Sequence, residues 1–486
     1  MGVGVSSWQL ASVIAAGGEL GVVSGTALDN VVARRLQDGD PGGHVRRVMA
    51  DFPVPAIVER VMKRYFKVDG RQGAPYAPAP RLAVSAGPAD SHSRRAADEL
   101  SVLSNFVEIR LAQHTQDGRP HHGLVGINYL EKIQMATPAA AYGAMMAGVD
   151  YVLMGAGIPR EIPRLLDDLA AGRPGTLTVE VIGGDPVTQT LDPSHIWDGE
   201  VPTLQRPQFL AIVSSHVLAQ YLNREVGTRP DGFVVEGPIA GGHNAPPRGT
   251  LQLDDVGQPI YGPRDDANLV ALAKVGLPFW LAGGYGEPEK VRTALEAGAT
   301  GVQVGTLFAL SHESGLVPEL RTELVRRLRE GSLDVRTDAA ASPTGFPFKV
   351  AQLEGTLSDD KQREQRPRLC DLGYLRQPYQ REGGAVGYRC PAEPISIYVR
   401  KGGKAEDAAG AACLCNALMA DVGLGQERKD GHAEEPLVTL GSDLTGAKRL
   451  DDERWLAGNG AEGWPAADAL AWLVRDVASH RPQPPA

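Results

Sequence analysis

Val234-Val235-Glu236-Gly237-Pro238-Ile239-Ala240-Gly241-Gly242-His243-Asn244-Ala245-Pro246 is the stretch that sets the fold. An apolar run, Phe233-Val234-Val235, reads as a buried strand, and it ends in a glycine pair followed at once by a histidine. Glycines carry no Cβ, so the backbone there can approach a flat ligand closely. In parallel α/β barrels, ligands and catalytic groups gather at the carboxyl ends of the strands, where this histidine falls. Histidine is also the side chain best suited to moving a proton near neutral pH.

Outward from that strand the chain alternates short apolar runs with amphipathic segments, the pattern of a parallel α/β fold. Strands are expected at Gly21–Ser24, Leu124–Asn128, Tyr151–Met154, Phe209–Ser214, Gly232–Glu236, Phe279–Ala282 and Gly301–Val304, with Leu177–Ile182 as an extra candidate. A helix is expected over Glu287–Ala297, stopped by Gly298. Residues from about 29 to 99 read as a helical insertion that includes Val54–Phe66 and the Pro-rich linker Gly73–Pro80. No repeat of fixed period is present. The expected organisation is a (β/α)8 TIM barrel over residues 1–335, a boundary near 331–341, and a Cys-containing C-terminal subdomain over 336–486.

Two further glycine motifs follow the histidine in order. Leu281-Ala282-Gly283-Gly284-Tyr285-Gly286 closes the next strand, and Val302-Gln303-Val304-Gly305-Thr306-Leu307 comes about one βα unit later. In phosphate-binding barrels the loops after the last two strands turn backbone N–H groups toward a phosphate, and a following helix N-terminus adds a favourable field. Three such motifs on consecutive strands point to a phosphate-bearing cofactor, with Thr306 as an added hydroxyl donor.

The 486 residues carry a formal net charge of −10, which argues against a broad nucleic-acid or anionic-membrane surface. No run approaches the roughly 18 apolar residues of a membrane span. The N-terminus has neither the basic flank nor the apolar core of a secretory signal. Met1-Gly2-Val3-Gly4-Val5-Ser6 fits the bare myristoylation pattern, though a glycine-rich opening has another use described below. The expected compartment is the cytoplasm, with no nucleic-acid or membrane partner; a homodimer is compatible with the sequence.

Glu236-Gly-Pro-Ile-Ala-Gly-Gly-His243, Leu281-Ala-Gly-Gly284 and Val304-Gly-Thr306 together resemble the nitronate monooxygenase family, formerly 2-nitropropane dioxygenases. Val125-Gly-Ile-Asn128 and Met154-Gly-Ala-Gly157 are weaker matches, and the opening Met1–Ser6 is similar to the loop after that family's first strand. The likeness spans about residues 1–310 and is most specific between 232 and 308. It implies an FMN-dependent (β/α)8 enzyme that oxidises a nitronate or related carbanion with O2. It also implies that His243 is the catalytic residue, taking the substrate α-proton or hydrogen-bonding the nitro oxygens. By the same likeness Met1, Gly2, Asn128, Gly241, Gly242, Gly283, Gly284, Gly305 and Thr306 line the flavin. One departure stands out: the family has an apolar strand before its opening loop, and here that loop begins at Met1. A chain without that strand is expected to leave an unpaired gap beside the flavin, to hold FMN weakly and to fold poorly.

Two alternatives share the motifs: an FMN-dependent NAD(P)H enoyl reductase acting on acyl thioesters, and a non-catalytic barrel that serves as a scaffold. All four cysteines, Cys370, Cys390, Cys413 and Cys415, lie within 46 residues, spaced C-x19-C-x22-C-x-C. Clustered thiols in an intracellular chain suggest a four-cysteine metal site, structural zinc or an iron–sulfur cluster, with free buried thiols as the plainer reading. Asn244–Pro263 reads either as a cover over the pocket or as a surface hairpin. Ser342-Pro-Thr-Gly-Phe-Pro-Phe-Lys349 reads as a rigid turn near the flavin edge. His216, after Ser214-Ser215 at a strand end, and Lys132, just after the Asn128 strand, read either as facing the pocket or, more simply, as lying outside it, His121 and His122 as solvated, and Asp254, Asp255, Asp265 and Asp266 as loop or helix-cap charges.

Overall fold

The computed structural model describes residues 2–84, 92–457 and 463–477. Met1, one of the expected flavin contacts, lies outside them. Seven strands form one curled parallel sheet: β1 (Gly21–Ser24), β2 (Val125–Leu130), β3 (Tyr151–Gly155), β4 (Gln208–Val213), β5 (Gly232–Glu236), β6 (Phe279–Ala282) and β7 (Gly301–Gln303). They pair in the order β1-β2-β3-β4-β5-β6-β7, every pair parallel. Strand follows strand in chain order, joined by crossovers that carry helices, which is barrel topology. The reason is visible in the sequence: these runs are apolar on both faces, as strands covered by helices outside and side chains inside must be.

The eight-stranded closure expected from the sequence is not complete among the described residues. The sheet has seven strands, and its edges β1 and β7 do not pair with each other. Residues of both edges, Val22 and Ser24 on one side and Gly301, Val302 and Gln303 on the other, border the same large cavity. Leu177–Ile182 does not join this sheet. Gly175–Val179 pairs antiparallel with Val187–Leu191 in a separate hairpin, whose alternating buried and exposed residues suit one covered face.

Between β1 and β2 lie helices Leu28–Gln37, His44–Met49 and Pro55–Tyr65, followed by the long, largely buried helix His92–Ala112. Helix Pro288–Glu296 leads to Gly298, whose φ of +89° ends it as a left-handed turn. After β7 the chain forms an antiparallel ladder, β8 (Val335–Asp338) with β9 (Phe348–Ala351). The last third then packs back on the sheet: Trp464 is fully buried, and its indole N–H donates to the Leu307 carbonyl at 2.9 Å. None of the described helices is long and apolar enough to cross a membrane.

Close helix packing at one glycine gives a test of this core. Helix Thr137–Met146 lies so near helix His92–Ala112 that a Cβ on Gly143 would sit 2.1 Å from the Val102 carbonyl oxygen. Alanine normally favours a helix by about 1 kcal/mol over glycine, but overpacking against rigid backbone costs about 1–3 kcal/mol. The clash wins, and Gly143→Ala is expected to lower the thermal midpoint by several degrees in calorimetry; an unchanged or higher midpoint would mean that these helices do not touch in this way.

Candidate active site

A cavity of about 970 Å³ opens at the carboxyl ends of the strands. It gathers every described residue expected at the flavin: Gly2, Asn128, Gly241, Gly242, Gly283, Gly284, Gly305 and Thr306, together with His243. Apart from Gly2, which precedes the first helix, they lie in the later part of a strand or in the turn past it, so their convergence follows from the common direction of the strands.

The glycines are required by contact. A Cβ on Gly241 would stand 2.9 Å from the Leu440 carbonyl carbon and 3.0 Å from the Gly441 nitrogen. Gly283 and Gly284 take φ of +85° and +79°, a region that favours glycine, and a Cβ on Gly284 would lie 2.5 Å from Ile239 Cδ1. Thr306 Oγ1 accepts the Gly441 N–H at 2.8 Å, and Thr439 Oγ1 accepts the Gly242 N–H at 2.8 Å. The N–H groups of Gly284 and Gly305 take no part in the backbone hydrogen bonding of the described residues and border the cavity. Narrow glycine walls with free N–H donors at one end fit a flat group ending in a phosphate.

His243 stands at the other functional point. It bridges antiparallel to Phe348, the Asn244 N–H donates to the Pro347 carbonyl at 2.9 Å, and the Lys349 N–H donates to the Gly242 carbonyl at 2.9 Å. The Phe348 ring meets the imidazole edge-on, centroids 4.8 Å apart at 68°. Nε2 of His243 lies 2.7 Å from Ser342 Oγ. The ring is mostly enclosed, with part of its surface open to the cavity. Burial, helped by the Lys132 charge, holds its pKa down to about 3 from an ordinary 6.5, so the imidazole is neutral at physiological pH.

Three participants were not singled out as site residues from sequence. Glu236, at the end of β5, lines the cavity, and burial pushes its carboxyl up to about 7. Ser342 and Thr439 reach the glycine–histidine loop from distant parts of the chain. The turn 342–349 was legible as rigid, but its seat against His243 was not. Lys132 pairs with Glu131 at 3.2 Å and lies 5.1 Å over the Phe346 ring, near enough to His243 to act on its charge. His216 instead opens helix His216–Leu222 behind the Ser215 cap, away from the cavity. Asp254 accepts the N–H groups of Val256 and Gln258, and Asp265 those of Arg248 and Gly262, as loop charges do.

The expected four-cysteine metal centre finds no support among the described residues. Cys390 and Cys413 pack into one buried apolar cluster with Cys415 against it, yet among the described residues no group of three or more His, Cys, Asp or Glu side chains is arranged to hold a metal ion. Burial pushes all four thiols up, Cys415 to about 12.

Residues 206–337 match the nitronate monooxygenase family. The match covers β4 to β8, and so includes the glycine–histidine loop and both phosphate-end motifs, where the resemblance was most specific. A (3aS,4S,5R,7aS)-5-hydroxy-7a-methyl-1-oxo-octahydro-1H-indene-4-carboxyl-CoA dehydrogenase of Mycobacterium tuberculosis is 30% identical over 143 residues, 29% of this chain and 36% of that protein. Its counterpart in Rhodococcus jostii is 28% identical over 146 residues, 30% of this chain and 35% of that protein. The chain thus spans about a third of the length of these curated relatives. Among solved structures, a nitroalkane oxidase from Streptomyces ansochromogenes superposes with a TM-score of 0.41 at 16% identity, covering 99% of this chain and 94% of that one.

The buried imidazole makes stability depend on pH. The unfolded chain protonates His243 near 6.5, whereas the folded chain does so only near 3. Its contribution is therefore whole above pH 6.5 and lost as the pH falls toward 3. Glu236 acts oppositely: its raised pKa contributes fully below about 4.5 and is lost as the pH rises through about 7. Comparison with His243→Gln isolates the imidazole. Between pH 7 and pH 5 the parent is expected to lose about 2 kcal/mol more unfolding free energy than the variant, measured by denaturant titration. Parallel pH curves for the two proteins would contradict the neutral, buried imidazole.

Proposed function

We propose that this protein is an FMN-dependent oxidoreductase that oxidises alkyl nitronates and their parent nitroalkanes with molecular oxygen. The observation that carries this reading is His243: a neutral imidazole at a strand end, one nitrogen held by Ser342, within the segment that matches the nitronate monooxygenase family. FMN, when bound, supplies the acceptor for the substrate's electrons, which no side chain here can provide. Gly241, Gly242, Gly283 and Gly284 would lie against it, and Gly305 and Thr306 would hold its phosphate. A neutral imidazole can take the α-proton of a nitroalkane, or donate an N–H to the oxygens of a nitronate. The apolar lining excludes water from this exchange and strengthens it.

A second reading is enoyl reduction of an acyl thioester with NAD(P)H. It is favoured by relatives named as acting on a carboxyl-CoA.

One anaerobic experiment separates the two. FMN-loaded protein is mixed with propyl-2-nitronate or with NADPH, and flavin absorbance is followed near about 450 nm. Bleaching by the nitronate, slowed roughly 10²–10⁴-fold in His243→Ala, is the expected result. Bleaching by NADPH alone moves the protein to the reductases, and failure to bind FMN at all overturns both readings.

A further inference from the structure

His243 reaches toward the protein as well as toward the cavity. Its Nε2 lies 2.7 Å from Ser342 Oγ, and Ser342 Oγ lies 2.8 Å from Thr344 Oγ1. Ser342 is buried, at 4% exposure, whereas Thr344 is only half-buried and is followed by the exposed Gly345. Three groups able both to donate and to accept a proton thus stand in a row from the cavity wall to the surface. The row is held in place: the Thr344 N–H donates to Ser342 Oγ at 3.2 Å, Thr344 Oγ1 accepts the Phe346 N–H at 3.4 Å, and the segment beyond is laddered to the histidine loop. The other ring nitrogen, Nδ1, has no hydrogen bond among the described residues and is not among their buried unpartnered polar atoms, so it faces the cavity.

We propose that Ser342 and Thr344 form a proton path that lets His243 work as a base without carrying charge through the cycle. The proposal rests on the nitroalkane reading above. In the resting arrangement Nε2–H donates to Ser342 Oγ, the Ser342 hydroxyl donates to Thr344 Oγ1, and Nδ1 presents its lone pair to the cavity. When a nitroalkane binds, its α-C–H bond breaks, the electron pair stays with the substrate as nitronate, and the proton forms Nδ1–H. In exchange Nε2–H passes to Ser342 Oγ, the Ser342 proton passes to Thr344 Oγ1, and the Thr344 proton leaves to water. The ring begins and ends neutral, one tautomer exchanged for the other. Run in reverse, the path returns a proton to Nε2 as Nδ1–H is given to an anionic product. A buried imidazole that must otherwise hold a full positive charge meets the desolvation cost that burial always places on it, and the path removes that cost.

The test uses the difference between a nitroalkane, which must lose a proton in the site, and its preformed nitronate, which has already lost it. Parent, Ser342→Ala, Thr344→Val and Ser342→Thr are loaded with FMN and followed by anaerobic flavin bleaching with each substrate. In Ser342→Ala and Thr344→Val the nitroalkane rate is expected to fall at least about tenfold further than the nitronate rate, within the roughly 10²–10⁴ that proton transfer is worth. Ser342→Thr, which keeps the hydroxyl, is expected to recover most of the loss. A second readout needs no flavin: ¹⁵N spectra of the histidine ring in the flavin-free parent are expected to show the Nε2–H tautomer of His243, and Ser342→Ala to lose that preference. Equal losses with both substrates, or an Nδ1–H tautomer in the parent, would overturn the path. If neither substrate bleaches the parent, the nitroalkane reading fails, and the ring spectra still decide whether the hydrogen-bonded row exists.

Discussion

Backbone meets backbone at the glycine–histidine loop, and the rest of the site depends on that contact. Gly241 lies so close to Leu440 and Gly441 that neither side has room for a Cβ, and Gly441 in turn presses on the Ile239 carbonyl and Thr306 Oγ1. The contact is fixed by three hydrogen bonds: Gly242 N–H to Thr439 Oγ1, Gly441 N–H to Thr306 Oγ1, and Ser442 N–H to the Ile239 carbonyl at 3.0 Å. It brings together the ends of β5 and β7 and a segment some 200 residues further along the chain. A side chain at either glycine would push these apart, moving His243 and the phosphate end by different amounts. Catalytic geometry tolerates little of that, since a displacement near 1 Å is enough to cost about 10²-fold.

Around this contact the site divides into two electrostatic halves. One is built from backbone donors with little charge of its own. The other holds His243 and Glu236, in both of which burial disfavours the charged form. Charged groups do stand near, but they are occupied: Lys290 by Asp443 at 2.7 Å, Lys349 by Thr337 Oγ1 at 2.6 Å, and Lys132 by Glu131. The chemistry such a wall supports is proton movement rather than stabilisation by a fixed ion pair.

All seven strands could be read from the chain because each is centred on a short apolar run, with polar residues such as Ser24, Gln208, Glu236 and Gln303 mostly at its ends. Glycine motifs could be read for a related reason: positive φ and close approach leave a mark on composition. Ser342, Thr439 and Gly441 left no such mark. Their partnership with the histidine loop spans 99 residues in one case and nearly 200 in the others, and a lone serine or threonine in a loop signals nothing about what it will touch. The extra strand at Leu177–Ile182 was seen as a strand but not as half of a hairpin, because its partner Val187–Leu191 is polar enough to read as loop. The cysteines were read as a cluster, and Cys390, Cys413 and Cys415 do pack together.

Thr439 and Gly441 complete walls whose other faces are made by residues 239–242 and 306, and Trp464 locks the strand end from later still. During synthesis, at about 5–20 residues per second, the sheet therefore leaves the ribosome well before the segments that close its working end. A nascent chain can assemble strands and helices in order, yet its ligand-facing surface stays unfinished until residues 439–441 and 464 have emerged. Completion of that surface is then a late event, one that follows assembly of the sheet rather than guiding it, and truncation just before Thr439 would strip the site while sparing most of the sheet.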